Sequence, residues 1–361
     1  MITIDGSFGE GGGQVLRTSL SLSTITGQPL HLYNIRAGRS KPGLQAQHLT
    51  SVRAAAAICG AQLEGDVLNS QSLVFRPTHP PHTGEYVFDV TEARESGSAG
   101  ATTLILQTVL LPLALAPDGG DSRVTLRGGT HAPFSPPFPY LRHVYLPTLW
   151  KMGIRAEAEL YRYGWYPAGG GEMTVKLRAN KISPISLTER GELRQVWGTA
   201  AVSNLPSHIA QRMANRAVNV LNGKGVTAHI EAAHVGATGP GAGIFIFAEY
   251  EHGLAGFTAY GRKGLPSEQV AEMACEDFLA HHQRDAATDL HLADQLILPA
   301  VLAAARGSSH WTTCRLTQHL LTNVWVVNHF LDVPIHITGN EGGPGEIVVG
   351  EQRPHQLITD H

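Results

Sequence analysis

Cysteine is scarce in this chain. The three residues Cys59, Cys275 and Cys314 stand far apart and form no CxxC pair. That spacing excludes a disulfide framework and a zinc knuckle. A surplus of positive charge is also missing: 27 Lys and Arg face 30 Asp and Glu, for a formal net charge of -3. Proteins that coat long nucleic acids carry a basic excess, so any nucleic-acid contact here is expected to be local, at one end of a strand. No apolar run is long enough to span a bilayer, and no charged-then-apolar leader precedes the strand-like "MITIDG". The expectation is a cytoplasmic protein with no membrane partner. Nothing in the sequence speaks to an oligomeric state. HExxH and GxSxG motifs are absent as well.

What is abundant is glycine, at 40 of 361 residues, in a composition that is 42% hydrophobic and 16% charged. Length and composition fit a globular protein of two or three domains with many tight turns. The chain repeats itself loosely. A first copy has a helix over 14–26, a strand over 30–35, a polar loop and a helix over 44–59. A second has a helix "ATTLILQTVLLPLALA", a strand "SRVTLRGG", a loop "THAPFSPP" and a helix "YLRHVYLPTLWKMG". A third fits "HLADQLILPAVLAAA", "HWTTCRL", "TQHLLTNVWVVNHFL" and "VPIHITG". Each copy reads helix, strand, loop, helix, strand. Gly60 and Gly153 close the second helix of their copies in the same way. This predicts an α/β (α+β) repeat with helices on one sheet face. Residues 182–276 differ in character and read as an inserted α/β subdomain. The repeats then occupy 1–181 and 277–350, and 351–361 is a polar tail expected to fray.

Several stretches carry chemistry. In "GEGGGQVLRTSLSLS", consecutive glycines before a helix can aim backbone N–H groups at an anion. Glu10 inside that loop suits a divalent cation lying between it and a phosphate, and Arg17 can reach back as a fork. A plain strand-to-helix turn accounts for the loop equally well. "RAGRSKPG" gathers Arg36, Arg39 and Lys41, which suits a phosphate-rich ligand or a solvated basic loop. "GGTHAPFSPPFPYL" and "YGWYPAGGGE" offer proline and aromatic walls for a base, or rigid packing. Asp294 and Gln295 near the start of an apolar helix can cap it, or contact a ribose or metal. Histidine is frequent, with 19 residues, so a lone one means little. His319 stands where the first two copies carry their polar loops. From position it is a structural residue, a metal ligand, an acid–base group or a nucleophile.

Taken in order, "DGSFGEGGGQVLRTSLSLS", "RAGRSKPGLQAQHLT", "GGTHAPFSPP", "GWYPAGGGE", "HLADQLILP" and "HLLTN" resemble the RNA 3'-terminal phosphate cyclase family, from residue 2 to about 337. The resemblance implies three repeated units, each a four-stranded sheet with two helices, similar to the C-terminal domain of a bacterial translation initiation factor. It also implies an inserted thioredoxin-like subdomain. The implied enzyme belongs to the ligase class. It consumes ATP, with Mg or Mn, and acts on an RNA 3'-phosphate end. A histidine takes AMP as a phosphoramidate and passes it to the 3'-phosphate, and the 2'-OH then closes a 2',3'-cyclic phosphate. By position the nucleophile is His319 and the metal residue Glu10. The resemblance assigns Arg17, Arg36 and Arg39 to phosphates, with Gln14 nearby. It assigns Gln107, Asp294 and Gln295 to the nucleotide, Pro133 to one wall of the adenine pocket, and Phe257 to an adjacent aromatic position. His291 replaces the tyrosine that some members stack on adenine, with less stacking area. Three rivals stand beside this reading: a non-catalytic relative in ribosome assembly, a small-molecule transferase on a related repeated fold, and a plain RNA-binding module.

Overall fold

The structure is a computed structural model that describes residues 1–93 and 99–351. The polar tail lies, after Glu351, outside the described residues. The first unit runs β1 (Ile2–Asp5), α1 (Gly13–Thr26), β2 (Leu30–Tyr33), α2 (Ala46–Cys59), β3 (Gln62–Glu64) and β4 (Leu73–Arg76). Its sheet has the order β1-β2-β4-β3, with β1 and β2 parallel. The second unit repeats this plan. It runs β5 (Glu85–Asp89), α3 (Thr102–Ala114), β6 (Asp121–Gly128) and α4 (Phe138–Tyr140). A π turn (Leu141–Tyr145) leads into α5 (Leu146–Lys151), followed by β7 (Ala156–Arg162) and β8 (Gly171–Arg178). The order is again first, second, fourth, third: β5-β6-β8-β7.

The third unit opens with the short strand β9 (Ser186–Leu187) and is then interrupted. The interruption holds β10 (Leu193–Ser203), α6 (His208–Asn222), β11 (His229–His234), β12 (Gly241–Tyr250), β13 (Leu254–Tyr260) and α7 (Ser267–His282). The unit resumes with α8 (Leu290–Gln295), α9 (Ile297–Ala303), β14 (Ser309–Thr313), α10 (Gln318–Phe330), β15 (Ile335–Gly339) and β16 (Gly345–Val349). Its sheet, β15-β16-β14-β9, has the same strand order, with β9 parallel to β14. The interrupting segment makes its own sheet, β11-β10-β12-β13. Hydrogen bonding draws its edges between Leu187 and Leu193 and after His282, where α7 carries on past 276.

The expected α/β repeat is present, but its phase differs from the sequence reading. Each unit begins with a strand ahead of the first helix and closes with a hairpin, rather than running helix to strand. Strands of two to five residues, such as β9, β3 and β4, are too short to show a period against their turns. Glycine closes the helix at Gly60 as expected, left-handed with φ of 59°, and Gly153, with φ of 90°, follows the Met152 cap of α5.

The helices fill the centre. In α1 even Ser19, Ser21 and Ser23 are buried, because the helix packs against α2, α3 and α10. α3 is apolar all round for the same reason. One apolar core runs through the three units, and a second lies between the interrupting sheet and α6 and α7. Two helix starts, those of α1 and α10, thus come from different units and meet at one end of the bundle.

Candidate active site

The loop between β1 and α1 reaches that end first. Gly9 and Gly11 have φ of 61° and 54°, which a glycine adopts freely. A Cβ on Gly9 would collide with the Thr322 hydroxyl of α10, so the loop lies directly on that helix. α1 starts after Gly12 with no side-chain cap and no acidic residue in its first turn. Its free N–H groups and the positive end of its dipole therefore face the loop uncompensated.

Cations crowd this end. A Cβ on Gly12 would come within 3.2 Å of Arg39 Nη2. One on Gly13 would stand 2.5 Å from His48 Nε2 and 2.9 Å from Arg17 Nη1. Arg17 is half-buried and has no hydrogen-bond or ion-pair partner among the described residues; burial draws its guanidinium down to about 10. An unpaired, desolvated guanidinium beside a bare helix start is a ready anion site. His48 is pulled down to about 3, chiefly by burial and then by Arg36 and Arg17, so it is neutral. Its Nδ1 accepts the Gln45 N–H at 3.3 Å. Gln14 lies in the first turn of α1, half-buried. Arg36 is used differently: its Nη1 donates to the carbonyls of Lys41 (2.6 Å) and Gly43 (3.0 Å), which pins the loop that presents Arg39.

Glu10 faces α10. Its Oε2 lies 3.2 Å from His319 Nε2 and 3.4 Å from Arg39 Nη2. His319 sits in the first turn of α10, whose N-cap Thr317 accepts the Leu320 N–H. Burial lowers the His319 pKa, Glu10 opposes this, and Arg17, His291 and Arg39 add to the lowering. The ring is therefore neutral at neutral pH, with a nitrogen lone pair available.

A buried network fixes these groups. Thr317 Oγ1 donates to Asp294 Oδ1 at 2.6 Å, and Asn323 Nδ2 donates to the Asp294 carbonyl at 3.0 Å. Thr18 Oγ1 donates to Asn323 Oδ1 at 2.6 Å. Asp294 is raised to about 8, mainly by burial, with Asp289 and Glu10 adding to it against the Thr317 bond. Gln295 accepts from Gln107 Nε2 of α3 at 3.2 Å.

Most of the expected residues thus converge: Glu10, Arg17, Arg39, His319, Asp294, Gln295, Gln107 and His291. Phe257 and Pro133 are placed differently. Phe257 is buried against Phe278 and His281, at ring distances of 5.7 and 5.6 Å. Alternation along β13 turns Ala255, Phe257 and Ala259 into the core under α6 and α7. The residue turned towards the site is Gly256, whose N–H donates to Asp289 Oδ2 at 3.2 Å. Pro133 is exposed, in a loop whose neighbour Phe134 is fully exposed. In the aromatic stretch "YGWYPAGGGE", Trp165 and Tyr163 pack on His131 at 5.0 and 4.4 Å, which is wall-building rather than an open platform.

The sequence reading missed Asp289, which caps α8 in place of Asp294 and also accepts from the Tyr140 hydroxyl at 2.8 Å. "TDLHLADQ" carries the N-cap signature that points to it. His48, Thr18, Thr317 and Asn323 were missed too; of these, only Thr317 has a local cap signal.

Comparison with known proteins fits this geometry. The family model for RNA 3'-terminal phosphate cyclase matches residues 8–337. The chain belongs to that family. RNA 3'-terminal phosphate cyclases of Gloeothece citriformis and Nostoc punctiforme are 53% and 54% identical over 331 residues. These matches cover 91% of this chain and 93% and 94% of those proteins. That of Methylococcus capsulatus is 52% identical over 347 residues, or 96% of this chain and 95% of its own. The expected enzyme class is the one this family carries. Among the described residues no helix is long and apolar enough to cross a membrane.

The described residues hold no cluster of three or more His, Cys, Asp or Glu side chains able to take a metal unaided. Glu10 offers one partly exposed carboxylate beside the cationic cradle. That donor set fits Mg or Mn arriving with phosphate oxygens, because Mg is commonly held by one or two carboxylates and substrate phosphates.

Proposed function

We propose that this chain is an ATP-dependent RNA 3'-terminal phosphate cyclase that works through adenylated His319. The observation that carries the reading is the neutral His319 ring, 3.2 Å from Glu10, beside the open start of α1 and the unpaired Arg17. A His319 nitrogen forms the bond to the α-phosphorus of ATP while the bond to pyrophosphate breaks. Arg17, Arg39 and the N–H groups of α1 take the phosphate charge, and Glu10 would hold the metal with its carboxylate. A bound Mg or Mn would supply charge neutralisation on the triphosphate. Thr317 and the α10 backbone hold the ring in line.

AMP then passes from His319 to an oxygen of the RNA 3'-phosphate. The vicinal 2'-OH attacks that phosphorus and expels AMP, leaving the cyclic phosphate. Gln107, Asp294 and Gln295 line the nucleotide side. The division into repeats and an inserted subdomain of thioredoxin type, and the cytoplasmic location, belong to the same proposal.

The test is incubation with α-labelled ATP and Mg or Mn, followed by denaturation. Acid-labile, base-stable label on the wild type and none on His319→Ala is expected. No label under either metal overturns the histidine–AMP reading and favours a non-catalytic relative.

A further inference from the structure

We propose that Phe8, Trp325 and His329 form an aromatic ridge that receives the unpaired bases of the RNA strand just upstream of its 3'-phosphate. The inference rests on the RNA reading above and names a site for the body of the strand. Phe8 lies in the loop that carries Glu10, two residues before it. Its ring stacks on Trp325 of α10 at 3.9 Å between centroids, with 9° between planes. His329, one turn further on, approaches the same indole at 4.4 Å, and its Nδ1 lies 2.8 Å from the Trp325 carbonyl. The Trp325 indole thus has Phe8 stacked on it and His329 tilted against it.

Phe8 is 39% exposed, and His329 is exposed as well. Trp325 is half-buried, its inner side against the core. Stacking on Trp325 covers one face of Phe8, and the exposed part of the ring is left for a base. Phe8 is two residues from Glu10, whose carboxylate lies 3.2 Å from His319, so the ridge begins beside the reacting end.

Charge points the same way. Arg39 and the exposed Lys41 lie on the loop facing Glu10, so cations flank the loop that bears the ridge. Over the whole chain there is no basic surplus to hold a strand by its backbone. A protein with a net charge of -3 needs base contacts near the end it processes.

The test is the anisotropy of a short, 5'-labelled, single-stranded oligoribonucleotide with a 3'-phosphate, titrated with wild type, Phe8→Leu, Trp325→Leu and Phe8→Tyr. Leucine keeps apolar bulk and removes the stacking face. Stacking on an aromatic contributes enough that each leucine variant should bind about tenfold more weakly, or worse, with Phe8→Tyr near wild type. Equal affinity in all four proteins overturns the ridge. If affinity is equal but the leucine variants sediment as a smaller species, the ridge is a contact between copies of this chain, and the proposal is likewise overturned. Label uptake from ATP is read on the same preparations. A wild type that loses RNA affinity with Phe8→Leu yet takes no label would retain the ridge and sink only the histidine–AMP step.

Discussion

Asp294→Asn should make the protein more stable, and increasingly so as pH rises. Asp294 is only 6% exposed and is raised to about 8 by burial first, then by the neighbouring charges of Asp289 and Glu10. At neutral pH the folded chain therefore holds this carboxyl protonated, while the unfolded chain, with an ordinary value of 3.8, has released the proton. Folding takes up a proton between those two values, so the residue's contribution to stability falls across that window. The slope is about 1.4 kcal/mol per pH unit. Asparagine keeps the shape and can still accept the 2.6 Å bond from Thr317, but it carries no charge at any pH. Urea unfolding of both proteins across a pH series should then show the variant gaining, relative to wild type, up to roughly 4 kcal/mol between about pH 5 and about pH 8. A difference that stays constant within about 0.5 kcal/mol over that range would refute the protonated, buried carboxyl. Label uptake from ATP by the same variant separates the two roles. If the carboxyl serves the nucleotide, uptake should fall while stability rises.

Glu10→Gln removes the charge that holds the His319 pKa up against burial. The acid limb of the label-uptake profile should then shift to lower pH, and an unmoved or raised limb would mean Glu10 does not govern that ring. Gly13→Ala places a Cβ 2.5 Å from His48 Nε2 and 2.9 Å from Arg17 Nη1 in the phosphate cradle. The KM for ATP should rise about tenfold; an unchanged KM would place the phosphates elsewhere.

The helices were legible because their apolar positions and closing glycines are local signals. α1, α2 and α10 begin and end within a residue or two of where the sequence puts them. The hairpins that close each unit were not, since strands of three or four residues such as β3 and β4 carry no period. In the site, the motifs name loops that the structure brings together, but not the side each residue presents. Phe257 was expected near the nucleotide, and strand alternation turns it into the core. Arg36 was expected to hold phosphate, and its Nη1 is spent on bracing its own loop. The Thr18–Asn323 bond spans 305 positions of chain, and no single-sequence signal links residues that far apart.

That bond also bears on how repetition became a catalyst. Three units with one strand order bring equivalent segments together, yet the segments differ in content. The lead-in to α2 carries cations, that to α4 proline and aromatics, and the first turn of α10 the histidine. Apolar packing alone would hold α1 against α10 but would tolerate a small slide between them. Directional bonds in a buried setting do not. Thr18 binds Asn323, Asn323 binds the Asp294 carbonyl, and the Asp294 carboxyl binds the cap of the helix that carries His319. This chain of three bonds joins the first and third units one turn beneath the loop. The network thus fixes the helix that carries His319, while the contact of Gly9 with Thr322 seats the loop that carries Glu10.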